Sequence, residues 1–297
     1  MPPPPDNDEK RIGLLAGWGR YPIVVAEALR QQGYKVYCLG VKDHADPVLG
    51  EICHHSMPIG VGRLGQAIRY FKRHGVKRAT MAGKLFKVRL LGRFSWVKYF
   101  PDLKTVQIYG GHFLNRGGKD RKDDSLLLAL VNAFEADGIT FAPATDFAPE
   151  LLVKNGMLSG RLSRGQWKDV VFAWQIARQM GSLDIGQSVC VIRRAVLAVE
   201  AVEGTDACIR RAGELCRTGG FSVVKVAKPR QDMRFDVPTI GLGTLQTMCE
   251  VGANVLAVEA DKTILIDEQE VVAFANRHGI TLAALSEADL LARQEAA

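Results

Sequence analysis

The chain lacks most of the short strings that mark a metal centre or an activated nucleophile. Its 297 residues contain no H-E-x-x-H, no C-x-x-C, no G-x-x-x-x-G-K-[ST] loop, and none of the D-x-H and G-N-H strings of dimetal phosphoesterases. Its six cysteines are scattered, most of them among apolar neighbours, which argues against a disulfide frame or zinc ribbon and for reduced core residues. Histidine is scarce in the second half, where His278 stands alone against His44, His54, His55, His74 and His112 in the first. A Ser-His-Asp or Cys-His mechanism centred on the second half is thereby disfavoured. No run approaches the roughly 20 apolar residues needed to span a bilayer. The leading MPPPPDNDEK is proline-rich and acidic without an apolar core, so it reads as a disordered lead rather than a signal peptide, and the cytoplasm is expected.

Hydrophobic content of 47% and charged content of 24% are those of an ordinary globular chain, long enough for two domains with real cores. The net charge of +7 favours an anionic partner. With no RNP-like or helix-turn-helix string, nucleic acid is not expected among its partners. In KLFKVRLLGRFSWVKYF (84–100), Lys and Arg alternate with Leu, Phe, Trp and Tyr. Such a segment suits an anionic bilayer surface or an acyl chain, and equally an amphipathic connector with its apolar side in the core.

Strand and helix signals alternate along the first half. The apolar run Arg11–Ala16 leads through AGWGRYP into a helix over Pro22–Gln32 that Gly33 ends. Strands are predicted at Lys35–Gly40, Arg78–Ala82 and Ile139–Ala142, with helices over Leu64–His74 and Asp124–Ala136. That order is the pattern of a Rossmann-like parallel sheet. A boundary falls in the proline-bearing stretch near 143–154, dividing the chain into a lead (1–10), an N-terminal domain (11–143) and a second α/β domain (144–297). In the second domain, helices are predicted over Gln166–Met180, Thr205–Cys216, Thr244–Val251 and at the C-terminus. Strands are predicted at Ser188–Ile192, Val196–Ala201, Ser222–Val226, Val255–Glu259 and Thr263–Ile266.

The densest chemistry lies in KVAKPRQDMRFDVP (225–238), read as a proline-fixed loop after a strand. Lys225, Lys228 and Arg234 suit phosphate oxygens there, while Asp232 and Asp236 suit a metal or a directed water. A solvated charge run is the plainer alternative. In AVEAVEGTDACIRRAG (198–213), Glu200 and Glu203 precede a turn, Thr205 is a natural helix N-cap, and Asp206 lies in the first helical turn. Gln187 sits in the polar loop SLDIGQSV before a strand, and Lys84 at a strand end, where open sheets bind ligands. The Gly17–Gly19 turn resembles a dinucleotide fingerprint with its third glycine replaced by Pro22, which weakens a nicotinamide reading. A phosphate at the helix N-terminus remains compatible with it, as does a merely structural tight turn.

Taken together, IGLLAGWGRYP, MAGK, GQWKDV, LDIGQSV, AVEGTDACIRRAG, KPRQDMRFDVPTIG and LAVEADKTILID resemble the LpxI family, from Arg11 into the last helix. The resemblance implies two domains with substrate held in the cavity between them. It also implies Mg²⁺-dependent cleavage of the pyrophosphate of UDP-2,3-diacylglucosamine to UMP and 2,3-diacylglucosamine 1-phosphate in lipid A biosynthesis. A family aspartate essential for catalysis maps by position onto Asp232, with Asp236 the second choice. The residues' own chemistry agrees in kind: Asp232, with Glu203 or Asp206, is expected to hold Mg²⁺ or water, and Lys225, Lys228 and Arg234 the phosphates. Gly17, Gly19, Lys84, Gln187, Thr205 and Gln231 are expected to touch substrate. The acyl chains imply transient contact with the inner leaflet of the cytoplasmic membrane, and a homodimer suits a chain of this size. The alternatives are a module that binds or senses a nucleotide-linked lipid without turnover and, less favoured, a nicotinamide-dependent oxidoreductase.

Overall fold

The computed structural model describes residues 10–84, 101–114 and 123–295. The proline-rich lead and the 85–100 part of the basic–aromatic segment lie outside the described residues. The chain divides into two compact units, Met1–Pro149 with Asp232–Phe235, and Glu150–Gln231 with Asp236–Ala297.

The N-terminal unit runs β1 (Arg11–Ala16), α1 (Tyr21–Gln31), β2 (Lys35–Val41), α2 (Leu49–Ile52), β3 (His55–Ile59), α3 (Leu64–Arg73), β4 (Arg78–Ala82), α4 (Leu103–Leu114), α5 (Asp123–Glu135), β5 (Thr140–Phe141) and α6 (Ala144–Phe147). Its five strands are ordered β3-β2-β1-β4-β5 and all pair in parallel, as the strand–helix alternation predicts. α1 covers one face of the sheet, through buried Val25, Ala26 and Leu29. On the other face, Leu39, Ile59, Phe71, Ala79 and Phe134 form one core. Gly13 admits Phe71 to that core, because a Cβ there would lie 2.8 Å from the Phe71 ring. Burying a side chain of Phe71's size contributes about 1.5–3 kcal/mol.

The C-terminal unit runs β6 (Gly156–Ser159), α7 (Arg164–Ser182), β7 (Ser188–Ile192), β8 (Ala195–Val199), α8 (Thr205–Leu215), β9 (Ser222–Lys225), β10 (Thr239–Ile240), α9 (Leu242–Glu250), β11 (Val255–Glu259), β12 (Ile264–Leu265), α10 (Glu268–His278), β13 (Thr281–Leu285) and α11 (Glu287–Glu295). Its main sheet is ordered β6-β13-β11-β9-β7-β8; β13, β11 and β9 are parallel, and β7 runs against β9 and β8. α7 covers one face through Val170, Ala173, Trp174 and Ala177, and Ser163 with Gln166 closes a capping box at its start. Opposite, Ile209, Leu245 and Val271 of α8, α9 and α10 pack on Cys190, Val223 and Leu256. The β7–β8 hairpin turns through Arg193 and Arg194, both at positive φ, and Asp169 accepts both of their amides at 2.9 and 2.6 Å. Two α/β units is the fold class expected from the sequence. All six cysteines are free thiols, five of them buried.

Two local expectations change. Thr205 is not the N-cap of α8: Gly204 holds that position at φ +84, and Thr205 is the first helical residue. The loop expected over 225–238 begins after Lys225, which lies in β9 as the predicted strand Ser222–Val226 has it. Among the described residues, no helix is long and apolar enough to cross a membrane.

Candidate active site

At the C-terminal ends of β1 and β4, the glycine turn meets the loop carrying Lys84. Trp18 donates to the Lys84 carbonyl at 2.8 Å, Lys84 donates back at 2.9 Å, and Gly17 donates to Ala82 at 2.8 Å. A Cβ on Gly17 would lie 2.8 Å from the Lys84 carbonyl, and one on Gly83 (φ +95) 2.7 Å from Pro22, so glycine permits this approach. Two of the expected substrate residues, Gly17 and Lys84, are therefore brought together. The amides of Gly17 and Trp18, however, bond to protein carbonyls. Gly19, at φ +105, faces open space.

Asp232 and Arg234, expected as catalytic acid and phosphate ligand, bind each other. Asp232 Oδ1 accepts from Arg234 Nε at 2.9 Å and Oδ2 from the guanidinium at 2.7 Å, with the Arg234 amide 3.1 Å from Oδ1. This is a two-pronged, charge-assisted pair. Arg234 also reaches Glu135 on α5 at 3.3 Å, and Phe235 packs against the N-terminal core. The Arg234 hydrogen bonds, opposed by partial burial, hold the Asp232 carboxyl below its ordinary range. The same contact raises Arg234.

Lys228 donates to Asp184 at 2.7 Å and lies 4.0 Å from Asp236. The Gln231 side-chain carbonyl accepts the Lys228 amide at 2.8 Å, while its Nε2 is buried without a hydrogen-bond partner. Lys228 and Asp236 are thus placed together, with Asp184 as a third member.

A third group lies at the C-terminal edge of β9. Lys225 is 7% exposed and donates to Thr205 Oγ1 at 3.2 Å and to the Thr239 carbonyl at 3.0 Å. Thr205 in turn donates to Glu200 Oε1 at 2.9 Å. Gln187 joins this edge through its backbone, accepting the Val226 amide at 3.1 Å, and its side-chain Oε1 is buried unpartnered. Glu203 has a local structural role. It accepts from Arg211 at 2.5 Å and from the Ala201 amide at 3.2 Å, and its own backbone amide and Arg211 lower its carboxyl. Asp206 accepts from Thr244 at 3.0 Å.

The chain matches the model of the LpxI N-terminal domain over residues 11–151 and that of the LpxI C-terminal domain over 154–283. It belongs to the LpxI family. It is also 28% identical over 282 residues to the UDP-2,3-diacylglucosamine pyrophosphatase LpxI of Caulobacter vibrioides, covering 91% of this chain and 96% of that protein.

For the Mg²⁺ that an LpxI chain implies, the described residues contain no group of three or more His, Cys, Asp or Glu able to hold a metal ion. The three ligands expected from the sequence each have a protein partner instead: Arg234 for Asp232, Arg211 for Glu203 and Thr244 for Asp206. The described residues do not fit a ready-made metal cage. Two participants escaped the sequence reading. Glu135 lies 99 positions from Arg234, and no local pattern couples them. Glu259, 4% exposed, accepts Arg178 at 2.7 Å and the Ala227 amide at 2.9 Å; inside an apolar strand run it carries no mark of its role.

Proposed function

We propose that this LpxI-family chain is a UDP-2,3-diacylglucosamine pyrophosphatase, hydrolysing its substrate to UMP and 2,3-diacylglucosamine 1-phosphate in lipid A biosynthesis. The observation that carries the reading is the end-to-end similarity to the Caulobacter vibrioides protein of that name. The site chemistry supports it, because an anhydride between two phosphates needs its charge neutralised and a water oriented in line with the leaving oxygen.

In this reading Arg234 exchanges partners. A pyrophosphate oxygen competes for its guanidinium, and Asp232, ionised at neutral pH, is released to orient the attacking water and accept its proton. The water oxygen bonds to one phosphorus as the bridging P–O bond breaks, and the departing phosphate carries away the electron pair. Lys225 and Lys228 neutralise phosphate charge. Mg²⁺ is proposed as the cofactor. A Mg²⁺ ion commonly takes one or two carboxylates and completes its shell with water and phosphate oxygens, so it needs no protein-only cage. Work on the cytoplasmic side, with brief contact at the inner leaflet, follows from the acylated substrate.

The test is hydrolysis by purified protein with Mg²⁺ or EDTA, following UMP and the lipid monophosphate. Both products should appear with Mg²⁺ and fail with EDTA. Asp232→Ala should bind substrate but turn over about 10²–10⁴-fold more slowly, the scale of a lost acid–base group. Near-normal turnover in that variant would move the role to Asp236. Binding without turnover in the unmodified protein would leave a carrier or sensor.

A further inference from the structure

Among the described residues, four carboxylate or ammonium side chains are less than a tenth exposed: Asp169, Glu200, Lys225 and Glu259. Three are satisfied within the protein. Asp169 receives two hairpin amides. Glu259 receives Arg178, Lys262 and the Ala227 amide. Lys225 donates to Thr205 and to Thr239. Glu200 is the exception: its Oε1 accepts from Thr205, but its Oε2 is buried with no hydrogen-bond partner. A buried carboxylate oxygen without a donor is unfavourable by itself, and such exceptions mark places where a ligand supplies the missing group.

The surroundings say what kind of donor. Ser188 lies opposite Lys225 in the β7–β9 register, and the Glu200 amide bonds to the Ser188 carbonyl at 2.9 Å. Glu200, just after β8, and Lys225, at the end of β9, therefore flank the start of β7 at one sheet edge, where open α/β sheets take ligands. Both side chains are tied to Thr205, the first residue of α8. Because the N-cap is Gly204, which has no side chain, no side chain caps that helix, and the space beside Gly204 is open. One place thus offers an unfilled anionic acceptor, a buried cation and an uncapped helix N-terminus. The acceptor calls for a hydroxyl, and the cation and helix end call for an anion. A ribose phosphate carries both on one rigid ring.

We propose that Glu200, Lys225 and the first turn of α8 form the ribose-phosphate subsite of the nucleotide half of the substrate. In it, Glu200 Oε2 accepts a ribose hydroxyl, and Lys225 with the α8 amides faces the phosphate. This rests on the reading that the substrate is a nucleotide.

The test measures the binding of UMP and of 2′,3′-dideoxy-UMP to the full chain by calorimetry, with hydrolysis of the lipid nucleotide assayed on the same preparation. The intact protein should prefer UMP about 10- to 100-fold, the range of a hydrogen bond to a charged group. Glu200→Gln should bring the ratio close to one while leaving dideoxy-UMP affinity unchanged. Lys225→Met should weaken both nucleotides alike. Thr205→Val, which frees Glu200 from its tether, should lower the ratio, and it serves in place of Glu200→Gln if that variant does not fold. A ratio near one in the intact protein, or one unaltered by Glu200→Gln, overturns the subsite. If hydrolysis persists alongside that result, the proposed activity stands and only the subsite falls. Absence of both hydrolysis and UMP binding removes both, whereas ribose discrimination without hydrolysis supports the subsite against the activity.

Discussion

Among the described residues, the N-terminal unit buries only His44 and the hydroxyls of Thr80, Thr105 and Thr145 as polar side chains, whereas the C-terminal unit buries Asp169, Glu200, Lys225 and Glu259. The two units handle the ends of their parallel strands differently. In the first, backbone meets backbone through Gly17, Gly83 and the Trp18–Lys84 bridge, so that edge is built from peptide groups. In the second, the side chains of Glu200, Lys225 and Glu259 are fixed at the strand ends by protein hydrogen bonds. Charge held in advance in a poorly solvated place stabilises a developing anion without reorganisation, which is the larger part of what a phosphate-cleaving site needs. In the proposed site, burial of charge, rather than its density along the chain, distinguishes a phosphate-facing residue from solvated surface. The residues of 225–238 make the point: Arg230 is exposed, while Lys225 is buried.

The contrast can be broken most forcefully at Glu259. Glu259→Ala leaves the Ala227 amide without its acceptor and Arg178 with only the Ala227 carbonyl. It should destabilise the C-terminal unit by about 3–5 kcal/mol in urea unfolding, as expected when one partner of a buried pair is removed. A loss of only about 1 kcal/mol, the scale of an exposed pair, would show that this charge is not held as described. In the N-terminal unit the corresponding lesion is steric. Gly83→Ala places a Cβ 2.7 Å from Pro22 and adds left-handed backbone strain, so it should cost about 2–5 kcal/mol, the overpacking and the strain together. Gly19→Ala meets open space and should cost only the left-handed backbone strain, about 1–2 kcal/mol. Equal losses at both glycines would remove the case for close backbone approach.

The smallest effect separates the units by pH. His74 stacks with Tyr37 and lies beside His55, Tyr70 and the Arg11 guanidinium, which donates to its carbonyl. Burial first, then His55, Arg73, Arg11 and His54, lowers its ring below the ordinary 6.5. The unfolded chain therefore takes up this proton more readily. The stability His74 contributes is complete above pH 6.5 and falls as pH drops through 6.5 toward the lower folded value. Thermal melting between pH 7 and 5 should show a decline in the N-terminal unit that His74→Gln reduces. An identical decline in that variant would place the titrating group elsewhere.

Legibility in the sequence followed burial and locality. The strands Arg11–Ala16, Arg78–Ala82, Ser188–Ile192 and Val255–Glu259 were readable to the residue, because each is an apolar run between polar or glycine ends. β3 was not: it is an edge strand with His55, Ser56 and Pro58 exposed, so no alternation signals it. β13 was hidden for the opposite reason. Its TLAAL is buried on both faces and made of good helix formers, so it merged with α10 and α11 into one expected terminal helix. At the site, the sequence places Glu200, Thr205 and Lys225 in informative strings, but their mutual contacts span strands and appear only on folding. The partnership of Arg234 with Asp232 is two residues long and still was not anticipated, since a carboxylate and a guanidinium in one loop can as easily face separate ligands.

The return of Asp232–Phe235 to the N-terminal unit bears on how this protein can be cut or recombined. Neither unit is an uninterrupted stretch of gene. A fragment ending at Pro149 lacks Phe235, which packs on its core, and Arg234, the partner of Glu135. A fragment beginning at Glu150 carries those same side chains with nothing of their own unit to receive them. Exchange of halves between relatives would therefore separate Asp232 and its arginine from the helix that steadies them, unless position 135 travels with the four-residue insert.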